Sequence, residues 1–166
     1  MAPQLFTPER TPMTSSQTAS ALLRVGRLAT AAGTLRIAGG AAAWATVTTQ
    51  LRDEKITVPG NAPVLAGKPV QGPATAYVEA LVSKRTAERG AGGRTFADIS
   101  DALRSVESGS DEEKKLRGQS AALSTAASLR TSLMTSVLAY GVSALVAGLG
   151  ALFVVSGTTL RRAGRS

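Results

Sequence analysis

The chain contains no cysteine and no histidine. Without cysteine there is no disulfide framework, no thiolate nucleophile and no zinc–thiolate site, and the redox compartment leaves no mark on the sequence. Without histidine the commonest metal ligand and the commonest general base are both missing. A hydroxyl nucleophile among the many Ser and Thr residues would need a desolvated lysine as its base. The sequence around Lys55, Lys68, Lys84, Lys114 and Lys115 offers no such burial. Aromatic residues are scarce as well: Phe6, Trp44, Tyr77, Phe96, Tyr140 and Phe153 are all that 166 residues provide, and 17 glycines and many alanines stand where large core side chains would be. A soluble fold made from this inventory has a thin core.

Charge is absent from one long stretch. The thirty residues Thr131 to Leu160 carry no charged side chain and are bracketed by Arg130 on one side and Arg161, Arg162 and Arg165 on the other. A helix rising about 1.5 Å per residue crosses a hydrocarbon core of about 30 Å in some 20 residues, so this run is long enough for a membrane span. Its Leu, Val and Phe residues are distributed all round the helix rather than on one stripe.

The net charge of +8 is unevenly placed. Residues 1–36 carry Arg10, Arg24, Arg27 and Arg36 against Glu9, residues 161–166 carry three arginines and no acid, and residues 52–130 are nearly balanced, with twelve basic and ten acidic side chains. Basic residues beside apolar segments follow the positive-inside rule and put both termini in the cytoplasm and residues 52–130 outside it, in a multi-pass plasma-membrane protein. No basic stripe with interleaved aromatics is present, so nucleic acid is not an expected partner; the lipid bilayer is.

Residues 1–27, rich in Thr, Ser and Pro at their start, read as a disordered basic cytoplasmic tail. Residues 28–51, with Arg36 as the only charge, form a weaker second span candidate in which Arg36 snorkels to the cytoplasmic edge and Trp44 lies past the midplane. The same segment also reads as a signal peptide: Arg24, Arg27 and Arg36 as the basic region, Ile37 to Ala42 as a short apolar region, and Ala43-Trp44-Ala45 as a cleavage site. Both readings export residues 52–130.

That exported segment begins with short extended pieces, Ile56-Thr57-Val58 and Lys68-Pro69-Val70, among prolines and glycines that favour turns and at most a small two-stranded excursion. Helices are predicted near 74–89, with Pro73 in the first turn and Tyr77, Val78, Leu81 and Val82 at helical spacing, near 95–108, with Phe96, Ile99, Leu103 and Val106 as an apolar stripe, and near 111–130, running on into the span. Thr95 with Asp98, and Ser110 with Glu113, have capping-box spacing. Gly118 is the weak point of the last helix.

No motif reaches a chemistry. Adjacent carboxylates Asp111, Glu112 and Glu113 project about 100° apart on a helix and favour its positive end rather than a shared cation. Asp53 and Glu54 are compensated by Arg52 and Lys55. Gly90 to Gly93 follows no strand and precedes no Lys-Ser or Lys-Thr, so it reads as a hinge and not a phosphate loop. Catalytic, cofactor and metal-binding residues are therefore none. Small residues do recur: Ser143, Ala147 and Ala151, and Ala144 and Gly148, at four-residue spacing in the last span, with Ala38, Ala42 and Thr46 beside Gly39 and Ala43 in the first. Such faces allow close helix packing, within a hairpin, in a homo-oligomer or with a membrane-protein partner. The competing reading is that alanine and glycine are simply common here.

Residues 36–51 followed by Ile56-Thr57-Val58, Ala62-Pro63, Ala66-Gly67-Lys68 and Gly72-Pro73, then Gly93-Arg94-Thr95-Phe96-Ala97, and finally Thr125 to Leu133 with Thr135-Ser136-Val137, resemble a family of small actinobacterial membrane proteins. The resemblance covers roughly residues 30–160. It implies two predicted spans and no established activity, although members often carry the label aromatic ring-opening dioxygenase LigA. Ring-opening dioxygenases hold iron through histidines, which this chain lacks, so the label's chemistry has no ligands here. The expected protein is thus mainly α: two transmembrane helices flank a partly helical exported loop with a small extended excursion. It acts as a non-catalytic envelope or accessory interaction protein or, after signal cleavage, as an exported binding module anchored by its C-terminal span.

Overall fold

A computed structural model describes residues 15–165. It contains four helices and, among the described residues, no strand: α1, Ser15–Asp53; α2, Pro73–Gly90; α3, Phe96–Ser105; and α4, Asp111–Ala163. One of them, α4, is long and apolar enough to cross a membrane. Helix α1 does not reach the same apolarity, because Arg24, Arg27 and Arg36 lie within it and Ala, Gly and Thr fill much of the rest. The first fourteen residues of the expected tail, and Ser166, lie outside the described residues.

Helix α1 begins thirteen residues before the predicted start of the first apolar segment at 28. The segment Ala19 to Ala32 is rich in the good helix formers Ala, Leu and Arg, and its Gly26 has a partner helix to pack on. At the other end α4 continues through Arg161 and Arg162 to Ala163, so the first half of the predicted C-terminal tail is helical. Gly118 does not interrupt α4.

The chain divides into two compact units: residues up to Gly39 with those from Val146 onward, and Gly40–Leu145. In the first unit α1 and α4 run antiparallel and touch backbone to backbone. A Cβ placed on Gly26 would fall 2.6 Å from the carbonyl oxygen of Gly157, and one on Gly33 would fall 2.5 Å from that of Gly150. Gly26 and Gly33, like Gly150 and Gly157, are seven residues apart, the spacing that keeps one seam facing its partner in a left-handed helix pair. Only glycine leaves room for that approach.

The second unit has two small cores. In one, Leu51, Val58, Val70, Ala76, Ala80, Leu133 and Tyr140 are buried together; in the other, Ala91, Ile99, Leu116 and Leu123. The predicted excursion is a single antiparallel bridge between Thr57 and Pro69. The Val58 amide donates to the Lys68 carbonyl and the Val70 amide to the Ile56 carbonyl, each at 2.9 Å, and both valines point into the core at 1% exposure. Although its backbone is turn-rich, this loop supplies core side chains.

On α2 the predicted face is borne out at Val82, which is buried, and at Val78, which packs against the core, but not at Tyr77. Ala76, Glu79, Ala80 and Val82 face inward, while Tyr77 is about half exposed. Two alanines a turn apart let the helix lie close to its neighbours, and the bulky Tyr77 is turned out. On α3 the predicted stripe holds for Ile99, fully buried, and for the half-buried Leu103; Val106, also half-buried, caps the helix from just beyond its end, and Phe96 is exposed.

Candidate functional site

Within the second unit, α2 and α4 enclose a groove of about 830 Å³. Its walls are mostly short side chains, Ser83 and Ala87 from α2, Ala91 just after it and Gly118, Ala122 and Ala126 from α4, with Pro59, Lys115 and Leu129 also lining it. Gln119 ties the far end together. Its amide nitrogen donates to the Gly90 carbonyl at 3.3 Å, and its oxygen accepts from Arg94 Nη2 at 2.9 Å. Small residues at helical spacing on both helices leave this space open between them.

Beside it lies the unit's most unusual polar group. Glu79 is 5% exposed; its Oε1 accepts from the hydroxyl of Ser83, a groove residue, at 2.7 Å, and its Oε2 is buried without a hydrogen-bond partner. A buried oxygen in that condition costs about 1–3 kcal/mol. Sequence reasoning passed over Glu79 because a lone carboxylate on a polar-looking helix is unremarked. The available signal was the small-residue stripe Ala76, Ala80, Ser83, Ala87 and Ala91, on whose face Glu79 falls.

A second polar node joins α1, the loop and α4. The Tyr140 ring is 1% exposed and stacks edge-on against Trp44 with centroids 4.5 Å apart. Its hydroxyl is 2.8 Å from Thr48 Oγ1 and donates to the Gln71 carbonyl at 3.3 Å, while the Gln71 side chain accepts from Arg52 Nε at 3.1 Å.

Both predicted caps form. Thr95 Oγ1 accepts from the Asp98 amide at 3.3 Å, and Asp98 Oδ2 accepts from the Thr95 amide at 2.8 Å. That amide, then the Thr95 hydroxyl and the nearby Arg94, hold the Asp98 carboxyl below the ordinary carboxylate range. At α4, Ser110 Oγ accepts from the Glu113 amide at 3.1 Å, and Glu113 reaches back to the Gly109 amide, one residue before the expected partner. Gly109, then Arg117 at 2.7 Å, lower the Glu113 carboxyl in the same way. Asp111 pairs with Lys114 at 2.9 Å. No group of carboxylates able to hold a metal ion occurs among the described residues.

The residues singled out from sequence are dispersed. Arg36 stands over the Phe153 ring, 4.9 Å from its centroid, and Trp44 pairs with Tyr140. Arg130 and Arg162 are exposed, and Arg161 is half-buried. Of the expected packing residues Ser143 is buried, with its hydroxyl donating to the Ala139 carbonyl at 2.8 Å, and Ala147 is half-buried. Ala144, Gly148 and Ala151 are exposed, and a Cβ on Gly148 would meet nothing within 4 Å. The close approach within the chain runs instead through Gly26, Gly33, Gly150 and Gly157, at a seven-residue period that the four-residue pattern did not single out. Comparison with family models, with curated proteins and with solved structures gives no match for this chain.

Proposed function

We propose that the protein is an integral membrane protein in which α1 and α4 form a hairpin across the plasma membrane, with both termini cytoplasmic. In this reading the rest of the second unit is exported as an accessory interaction module without catalysis of its own. The observation that carries it is the outer surface of the glycine-seamed helix pair. Val25, Leu28 and Leu35 on α1, and Leu152, Phe153 and Val155 on α4, are all exposed although the seam between the helices is closed. In water such a surface would be an aggregation liability; in lipid it is solvated.

Counting along the helices supports the same reading. Arg24 to Trp44 on α1 and Tyr140 to Arg161 on α4 are each about 20 residues, or about 30 Å. Trp44 and Tyr140 then form an aromatic belt at the outer interface, level with the polar Gln71. Residues Thr131 to Tyr140, apolar as they are, serve the exported unit, since Leu133 and Tyr140 belong to its core. Arg36 lies inside this span rather than at its edge, and is the hairpin's costliest residue. The Phe153 ring face offsets part of that cost, about 2 kcal/mol when desolvated.

Cleavage after Ala45 would strip Gly26 and Gly33 from Gly150 and Gly157, and Trp44 from Tyr140. The retained helix is therefore the reading adopted. Ser110→Cys, the only thiol in the resulting chain, tests it: intact cells are treated with a membrane-impermeant mass-tagged maleimide and the labelled protein is weighed. Labelling of full-length protein is expected. Labelling of a species short by the first 45 residues would establish cleavage and the anchored binding module, and labelling only after lysis would overturn the topology.

A further inference from the structure

The first unit is chemically one-sided. Among its described residues, 15–39 and 146–165, there are six arginines and no Asp or Glu. Arg36 is occupied by the Phe153 ring. The other five gather at one end. A Cβ on Gly26 would lie 2.7 Å from Arg161 Cγ, so the stem of Arg161 crosses the seam at that turn; a Cβ on Gly164 would lie 3.2 Å from both the Leu22 Cβ and the Leu23 Cγ. This register puts Arg24 and Arg27 in the same two turns as Arg161, Arg162 and Arg165. The carbonyls ending α4 favour cations beside them, but a helix terminus balances about half a charge against five.

We propose that this end of the helix pair binds the phosphate headgroup of an anionic phospholipid. Two features select lipid over other phosphates. Val25, between Arg24 and Gly26, and Leu28, next to Arg27, are 53% and 71% exposed, so the cationic end continues directly into a surface suited to acyl chains. Phe153 is the unit's one aromatic residue among those described, and Arg36 covers it, so nucleotide bases have no stacking platform there. Clusters of four to eight basic residues beside a span are the usual means of holding anionic lipid, and arginine's planar fork grips phosphate oxygens in pairs.

The proposal rests on the membrane reading above, and the experiment separates the two. Full-length protein is first incorporated into dioleoylphosphatidylcholine vesicles and washed with alkaline carbonate. Failure to incorporate would sink the membrane reading and this proposal with it. The incorporated protein is then extracted into detergent and titrated with dioleoylphosphatidylglycerol, dioleoylphosphatidylcholine, inorganic phosphate and a twelve-nucleotide single-stranded RNA, with adducts counted by native mass spectrometry. Phosphatidylglycerol is expected to bind at least about tenfold more tightly than phosphatidylcholine. That preference should disappear in Arg161→Gln/Arg162→Gln/Arg165→Gln, fall in Arg24→Gln/Arg27→Gln, be reduced but retained in Arg161→Lys/Arg162→Lys/Arg165→Lys, which keeps the charge and loses the fork, and be unaffected in the second-unit control Arg85→Gln/Arg89→Gln. Incorporation with equal retention of the two lipids would overturn the proposal alone. So would displacement of phosphatidylglycerol by equimolar inorganic phosphate, which identifies a free-phosphate site, or tighter binding of the RNA.

Discussion

Adding one methyl group at either of two glycines two residues apart on α4 should have opposite consequences. At Gly150 a Cβ would fall 2.7 Å from the Gly33 carbonyl oxygen and 2.9 Å from the Ile37 amide nitrogen, both backbone atoms on α1 that no rotamer change can move. A carbon and a carbonyl oxygen sit comfortably at about 3.3 Å or more, so Gly150→Ala must push the helices apart by roughly 0.6 Å. Overpacking of this kind costs about 1–3 kcal/mol, against which alanine's better helix propensity returns about 0.5–1 kcal/mol. The net loss is about 0–2.5 kcal/mol, centred on about 1 kcal/mol. At Gly148 a Cβ meets nothing within 4 Å, so Gly148→Ala keeps the propensity gain alone. Because the chain has no cysteine, Ser20→Cys and Thr159→Cys, one on each helix, accept a donor and acceptor dye without competition. Loss of energy transfer is followed as sodium dodecyl sulfate is raised in mixed micelles. The expected order of midpoints is Gly150→Ala, then wild type, then Gly148→Ala. Equal midpoints for the two variants would refute the glycine seam.

Three further outcomes are expected. Tyr140→Phe keeps the ring against Trp44 but removes the hydroxyl shared with Thr48 and the Gln71 carbonyl; it should cost about 0.5–1.5 kcal/mol in the same titration and alter Trp44 fluorescence little. Glu79→Leu/Ser83→Ala removes a buried, half-satisfied carboxylate together with its one donor, and should leave thermal stability unchanged or raised, whereas Ser83→Ala alone, which orphans both oxygens, should lower it. Asp98 and Glu113 have folded-state carboxyls held below their unfolded values, so the unfolded chain binds more protons through the acid range. Their contribution is present above the ordinary carboxylate range and is lost as pH falls through the lowered folded values. Circular dichroism melts should therefore weaken on acidification, and more shallowly in Asp98→Asn/Glu113→Gln.

Local features of the second unit were legible in the sequence because each is set by neighbours along the chain. Pro73 at the start of α2, the Thr95–Asp98 and Ser110–Glu113 caps, and the positive-φ Gly92, Gly93 and Gly109 after helix ends all follow from backbone chemistry within four residues. The groove and Glu79 were not legible. Both depend on which face of α2 turns inward, and Tyr77 and Leu81 gave as plausible a face as Ala76 and Ala80. The chain's choice is made by the close packing that small residues permit, a property of two helices together rather than of either one.

By itself, the sequence determined that the chain is mainly helical, that α4 is long and apolar enough to cross a membrane, and that no histidine or thiolate is present for chemistry. Composition and period suffice for these statements. Only the tertiary structure decided how the apolar run beginning at Thr131 is shared, with Leu133 and Tyr140 in a protein core and Leu152 and Val155 left facing outward. It also decided that Gly26, Gly33, Gly150 and Gly157 make contact between helices while Gly39, Gly141 and Gly148 do not. Hydropathy gives lipid and a protein interior the same score, and a glycine's role is fixed by the backbone opposite it, which one strand of sequence does not contain.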